Sequence, residues 1–206
     1  MVVCAIIFCE IVIAFTAVTR SLTKHNQIGY VTRSTDITGT AKSPNPVVFR
    51  QPALSDAARI LKLVEDSRVL EPNSCYLYLL LCHDFSQTCL VAERDTELVG
   101  FVTAYCPPQR PEAVFVWQIG VAASARRQGL GKQLLRQLLA SPGCRDVEFL
   151  EATVTASNVA SRRLFESLAG ELNTACTWTD GFSRVHFLDP HHEDEPLIRI
   201  GPLERN

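Results

Sequence analysis

VFVWQIGVAASARRQGLGKQLLRQLLA, residues 114–140, runs from an apolar strand into an amphipathic helix through a turn crowded with glycine and cations. Residues 114–121 are apolar except for Gln118 and Gly120, which reads as a buried strand. A loop over residues 122–125 follows, then Arg126-Arg127-Gln128-Gly129-Leu130-Gly131-Lys132. Beyond it Leu130, Leu134, Leu135, Leu138 and Leu139 share one helical face, with Lys132, Gln133, Arg136 and Gln137 opposite. Ser141-Pro142-Gly143 stops the helix. A helix start presents unpaired N–H groups and the positive end of the dipole, so cations there ask for an anion. Glycines let the backbone come close to phosphate oxygens. The stretch therefore predicts a pyrophosphate cradle, against the plainer reading of a surface helix that starts with basic residues.

Net charge is −2, which argues against nucleic acid as the main partner. Residues 1–46 carry Arg20, Lys24, Arg33 and Lys42 against Glu10 and Asp36, so the rest of the chain is mildly acidic and suits a cationic substrate. Cysteines stand at 4, 9, 75, 82, 89, 106, 144 and 176 with no CxxC. That gives neither a zinc nor a redox pattern, predicts no metal, and fits a reducing compartment. Residues 2–18 are strongly apolar, but Glu10 lies at their centre, where membrane insertion costs roughly 2.5–3.5 kcal/mol. A positive n-region and a small-residue cleavage site are both missing. Residues 1–46 read as an extension or an organelle-targeting leader before a membrane anchor, and residues 47–206 as the domain.

Within the domain, residues 47–50 predict a first strand and residues 56–67 a helix with Ala57, Ile60, Leu61 and Val64 inward. Asn73 or Ser74 caps a second helix that runs through Cys82. Residues 88–93 and 98–105 read as a hairpin, and the proline-rich 107–111 as an exposed loop. Residues 147–154 form a strand parallel to 114–121. Asn158 caps a helix with Ala160, Leu164, Phe165 and Leu168 inward, ended by Gly170. Strands are expected at 173–178 and 185–188, with a last edge strand at 197–200.

The turn is neither GxxxxGK[ST] nor GxGxxG. It is R-x-x-G-x-G on Arg126, Gly129 and Gly131, which resembles the acetyl-CoA pyrophosphate loop of the GCN5-related N-acetyltransferases (GNAT). The order of elements matches that family over residues 47 to about 200. The resemblance implies an α/β fold of α+β type: a mixed, mostly antiparallel sheet flanked by helices, with a parallel pair splayed at the cofactor site. Local runs resemble its diaminobutyrate acetyltransferase branch, of ectoine synthesis. They are LEPNSCY (70–76), YLLLC (78–82), LVGFVT (98–103), Pro107-Pro108, FVWQ (115–118), ATV (152–154) and HEDEPL (192–197). That branch implies N4-acetylation of L-2,4-diaminobutyrate by acetyl-CoA, in a cytoplasmic homodimer of salt-tolerant cells. Glu71 departs from it, because an aspartate is usual there, and so does the apolar leader.

An amine attacks a thioester only when neutral. Near the reference pKa of ~10.4, about one molecule in 10³ is neutral at pH 7, so the site must accept a proton. The resemblance places Glu71 over the acceptor site as a holder of ammonium; the plain reading is an acid at a helix start. Tyr76, one turn on, is a substrate contact or proton relay, or a core aromatic. Trp117 offers an indole face to an ammonium, or is a large core residue. Strand alternation puts Trp117 and Ile119 on one side and Gln118 on the other. His192 and Glu195 close over the substrate, or belong to a solvated acidic loop. For the cofactor, the resemblance implies backbone pairing of Ile119 and Val121 with pantetheine. It also implies a pyrophosphate lining of Arg126, Arg127, Gln128, Gly129, Gly131 and Lys132, and a pantetheine contact from Asn158. Phe165 stands where many relatives carry a tyrosine that protonates the leaving thiolate. Acetylation of another polyamine or of a protein N-terminus remains an alternative, as does a non-catalytic acyl-CoA binding module.

Overall fold

The computed structural model describes residues 45–204, so the segment expected as a leader over 1–46 falls outside them through residue 44. The order is β1 (Val48–Arg50), α1 (Asp56–Ser67), α2 (Cys75–Asp84), β2 (Leu90–Arg94), β3 (Glu97–Tyr105) and β4 (Ala113–Val121). Then follow α3 (Leu130–Leu139), β5 (Phe149–Thr153), α4 (Val159–Glu171), β6 (Cys176–Phe182) and β7 (Glu195–Ile200). The strands form one sheet in the order β1-β2-β3-β4-β5-β7-β6. All neighbours are antiparallel except β4 and β5, joined in parallel through the crossover helix α3.

Each face of the sheet carries its own apolar cluster. Val102, Val114 and Val116 pack with Leu134, Leu135 and Leu138 of α3 and Leu168 of α4. On the other face Val91 and Phe101 meet Ala57, Ile60 and Val64 of α1 and Tyr78 of α2. The leucine face of α3 is buried as its spacing predicts, with Leu139 half-buried at the margin. The helix lies close to the sheet at Gly100, where a Cβ would come 3.1 Å from Leu134 Cδ1. The β2–β3 turn places Asp95 and Thr96 at φ 52° and 67°, a left-handed pair that matches the twist of a tight hairpin.

An ion cluster closes the corner between β1, β2 and α1. Arg50 holds Asp56 at 2.6 Å and Glu93 at 2.8 Å, and Arg59 reaches the same two carboxylates at 2.8 and 2.7 Å. Asp56 is fully buried and also accepts the Ala53 N–H at 2.8 Å. Hydrogen bonds from Arg50 hold the carboxyls of Asp56 and Glu93 down at about 2. Burial pushes the thiols of Cys82 and Cys89 up to about 11 and about 12, so both are protonated apolar fillers at neutral pH.

The structure corrects several expectations. In α1 Leu63 is buried and Leu61 only partly so. Ala160 is exposed, and Gly170 lies inside α4, which continues to Glu171. Residues 185–188 are not a strand; a 3-10 turn spans Arg184–His186, and Val185 and Leu188 are exposed. The last strand is not at the edge, because β7 inserts between β5 and β6. In the 107–111 loop Pro107 is buried, and Arg110 Nε donates to the fully buried Glu151 at 3.1 Å. Strict alternation fails in β4: a bulge at Trp117 and Gln118 puts Val116 and Ile119, three residues apart, against the same cluster.

Candidate active site

The site begins where a ladder stops. β4 pairs with β5 only from Ala113–Phe149 to Phe115–Glu151, after which the two strands part. On its other side β4 stays paired with β3, through Val102–Ile119 and Gly100–Val121. The Ala122 N–H donates to Val99 O at 2.9 Å. Hydrogen-bonded and non-bonded positions alternate in an antiparallel pair, so Ile119 and Val121 turn their N–H and C=O groups away from β3, into the gap. Val121 O accepts from Arg126 Nε there at 3.2 Å. The gap holds a cavity of about 100 Å³, lined by Leu70, Trp117, Ile119, Thr153, Asn158 and Phe165 among others.

The start of α3 opens beside this gap. Arg127 and Gly129 are left-handed, at φ 60° and 74°. The first helical bond, Gln133 N–H to Gly129 O, spans 3.1 Å. The N–H groups of Leu130, Gly131 and Lys132 precede it, and no side chain caps them. Gly129 is required by its backbone angle, and a Cβ there would meet only Gln133 Nε2 at 4.0 Å, an ordinary contact. Gly131 is different, because a Cβ would sit at an ordinary 3.4 Å from Leu164 Cδ2 and 3.9 Å from Val121 Cγ2. Neither angle nor packing demands a glycine at 131, whereas close approach of a ligand would.

The side chains of the turn divide. Arg127 is exposed and makes no hydrogen bond or ion pair among the described residues. Gln128 bridges Arg94 Nη2 at 2.9 Å and Ser124 O at 3.1 Å. Lys132 donates instead to Glu171 at 2.7 Å and to Ser167 at 3.3 Å, both on α4. Its ammonium is thus already paired, whereas its backbone N–H stays uncapped at the helix start. Asn158 accepts from the Ser161 N–H at 3.1 Å and so caps α4 at the edge of the gap.

On the α2 side, Glu71 is exposed and its carbonyl accepts Gln118 Nε2 at 3.0 Å. Gln118 Oε1 accepts the hydroxyl of Tyr78, which is fully buried, at 2.8 Å. Tyr76 is 72% exposed and takes no part in this chain. Trp117, 46% exposed, stands at the bulge beside the gap. Across the gap Glu195 accepts from Thr153 Oγ1 at 2.6 Å and lies 3.6 Å from His192 Nε2. The His192 ring stacks on Phe187, centroids 3.6 Å apart, and Glu193 accepts the Ser157 N–H at 3.1 Å. Leu70, beside Glu71, and Thr153, the partner of Glu195, line the same cavity, so both sets of acids flank one opening. Tyr78, Thr153 and Phe187 were missed by sequence reasoning; only the rule that a buried tyrosine hydroxyl needs a partner hints at Tyr78. Among the described residues no three His, Cys, Asp or Glu side chains converge as a metal site would need. No helix among them is long and apolar enough to cross a membrane.

A parallel pair parting beside an uncapped, glycine-turned helix start defines an acetyltransferase of the GNAT class, and the GNAT acetyltransferase family matches residues 57–170. An L-2,4-diaminobutyric acid acetyltransferase of Marinococcus halophilus is 44% identical over 171 residues, covering 83% of this chain and 99% of that protein. One from Halalkalibacterium halodurans is 42% identical over 176 residues, 85% of this chain and 93% of that protein. A solved structure is also similar: a diaminobutyrate acetyltransferase from Paenibacillus lautus in complex with L-2,4-diaminobutyric acid and coenzyme A. It has a TM-score of 0.75 and 44% identity over 79% of this chain and 98% of that one. The chain belongs to the L-2,4-diaminobutyric acid acetyltransferases of the GNAT family.

Proposed function

We infer that the chain transfers acetyl from acetyl-CoA to the 4-amino group of L-2,4-diaminobutyrate, a step of ectoine synthesis. The parted β4–β5 pair carries the reading, because it leaves a strand edge beside an unfilled helix start. Pantetheine completes the ladder along Ile119 and Val121. The pyrophosphate sits on the N–H groups of residues 130–132, with Arg126 and Arg127 supplying charge and Gln128, Gly129 and Gly131 shaping the turn. Lys132 enters through its backbone, and Asn158 edges the pantetheine path.

The thioester carbonyl then lies at the gap, where an N–H of β4 polarises it. The neutral amine attacks that carbon, the C–S bond breaks, and CoA leaves as thiolate while the new amide nitrogen sheds a proton. Glu71, Tyr76 and Trp117 from one side, with His192 and Glu195 from the other, hold the acceptor so that a single nitrogen is aimed. Phe165 has no hydroxyl, so no phenol at that position protonates the thiolate. Similarity to the relatives also supports a cytoplasmic homodimer that serves osmotic adaptation.

A panel of amines scored for free thiol, with the acetyl position assigned by NMR, tests this reading. Diaminobutyrate should give the fastest thiol release and an N4-acetyl product. Faster turnover of another polyamine or of a peptide N-terminus would reassign the substrate, and binding of acetyl-CoA without thiol release on any amine would make the protein a binding module.

A further inference from the structure

Tyr78, on the inner side of α2, is wholly buried, and its hydroxyl is spent on one strand residue. Gln118 Oε1 accepts from it at 2.8 Å, and Gln118 Nε2 donates to Glu71 O at 3.0 Å. Asn73 Nδ2 approaches the same hydroxyl oxygen at 3.5 Å from its donor side. The oxygen is thereby an acceptor for Asn73 and its hydrogen is directed to Gln118. That polarity fixes which end of the amide faces Glu71. The bulge in β4 is what brings Gln118 to the α2 side, next to Trp117. The segment between α1 and α2 has two further anchors. Ser67 Oγ accepts the N–H groups of Val69 and Leu70 at 3.2 and 3.0 Å. Leu70 rests on Gly120, where a Cβ would come within 2.9 Å of Leu70 Cδ1. At Glu71 itself Gln118 is the only hydrogen-bond partner among the described residues.

We propose that Tyr78 and Gln118 are positioning residues for the acceptor, a latch that fixes the height of Glu71 over the gap. The proposal rests on Glu71 holding an ammonium of the substrate. Gln118 also lines the gap beside Ile119, but its side-chain amide is spent on Tyr78 and Glu71. Neither latch side chain bonds Val121 or the start of α3, so the latch acts on how the amine binds rather than on how acetyl-CoA binds.

Gln118→Glu is the discriminating variant, because it keeps an acceptor for Tyr78 but puts an oxygen where a donor faced Glu71 O. The KM for diaminobutyrate should rise about tenfold, the loss of one hydrogen bond with a repulsive contact in its place. The KM for acetyl-CoA should stay within about twofold, a difference under half a kcal/mol. Tyr78→Phe should move the acceptor KM in the same direction, and Glu71→Gln should raise it too. If Glu71→Gln raises the acceptor KM and Gln118→Glu does not, the latch is refuted while the role of Glu71 stands. If neither variant moves it, both fall. Equal rises in the two KM values would show a general loosening of the fold and would also overturn the latch. Gln118 is only partly buried, so its variant tests the idea even where Tyr78→Phe fails to fold.

Discussion

Two cationic regions of this molecule are built from the same residue types and end in opposite states. At the β1–β2–α1 corner, Arg50 and Arg59 are shared between Asp56 and Glu93, and each charge is answered within 3 Å. At the mouth of the β4–β5 gap, Arg127 has no partner among the described residues and three backbone N–H groups precede the first helical bond. Closure makes the first a joint of the fold. Incompleteness suits the second to the binding role proposed for it, since donors left unmatched on a rigid frame can be matched by a ligand. The contrast also sorts the lysine and arginines of the turn, because Lys132 has been drawn into the closed kind of arrangement by Glu171.

The largest effect is expected at the closed corner. Asp56→Ala removes the buried carboxylate and leaves Arg50 and Arg59 with Glu93 alone. It should cost about 2–3 kcal/mol in denaturant unfolding, the loss of charge-assisted hydrogen bonds at a buried acceptor, with the acetyl-CoA KM of the folded fraction unchanged. A loss below about 1 kcal/mol would mean the corner is an ordinary surface pair. At the open mouth, replacing both Arg126 and Arg127 by alanine should raise the acetyl-CoA KM roughly 30-fold, about 2 kcal/mol of charge-assisted contact. The melting temperature should hold; a fall would show that these arginines serve the fold. The corner also sets acid stability. Its carboxyls are held at about 2 in the folded state, below the ordinary ~4 of an unfolded chain. Their contribution is complete above that unfolded value and vanishes as pH drops through about 2. Unfolding monitored by circular dichroism should therefore be flat from neutrality to about pH 4.5 and steepen below.

Smaller effects separate the two glycines. Gly129→Ala should destabilise by about 1–2 kcal/mol through its left-handed angle. Gly131→Ala should leave unfolding untouched and weaken acetyl-CoA binding by about fivefold, near 1 kcal/mol; equal loss of stability at both positions would erase the argument for a ligand at 131. Smallest of all, Lys132→Ala should keep the acetyl-CoA KM within about twofold, and a larger rise would return its ammonium to the cradle.

Local chemistry made much of this legible. The leucine spacing of α3, the helix starts at Ser74 and Asn158, and the β2–β3 turn all act within a few residues. The R-x-x-G-x-G turn was readable for the same reason: strand, turn and helix are contiguous. What escaped depends on distant partners. The placing of β7 between β5 and β6 is fixed by pairing across the sheet, which no window of sequence contains. The bulge at Gln118 is a one-residue slip that only the β3 register reveals. Cys75-Tyr76-Leu77-Tyr78-Leu79-Leu80-Leu81-Cys82 is apolar all round, so the helix has no phase to tell the inner tyrosine from the outer one. The ion pair of Lys132 escaped as well, because its partner Glu171 lies one helix later.

The contact between α3 and Gly100 ties binding to bulk at a distance. Gly100 faces Val121 across the β3–β4 pair and carries Leu130 and Leu134 directly above its Cα. Any side chain there would press on the leucine tips under the start of α3 and shift that end relative to β4, the two places proposed to hold the diphosphate and the thioester. One end of a long cofactor would then be out of step with the other. Drift at position 100 would thus be felt as a misfit of the nucleotide before it was felt as a loss of fold.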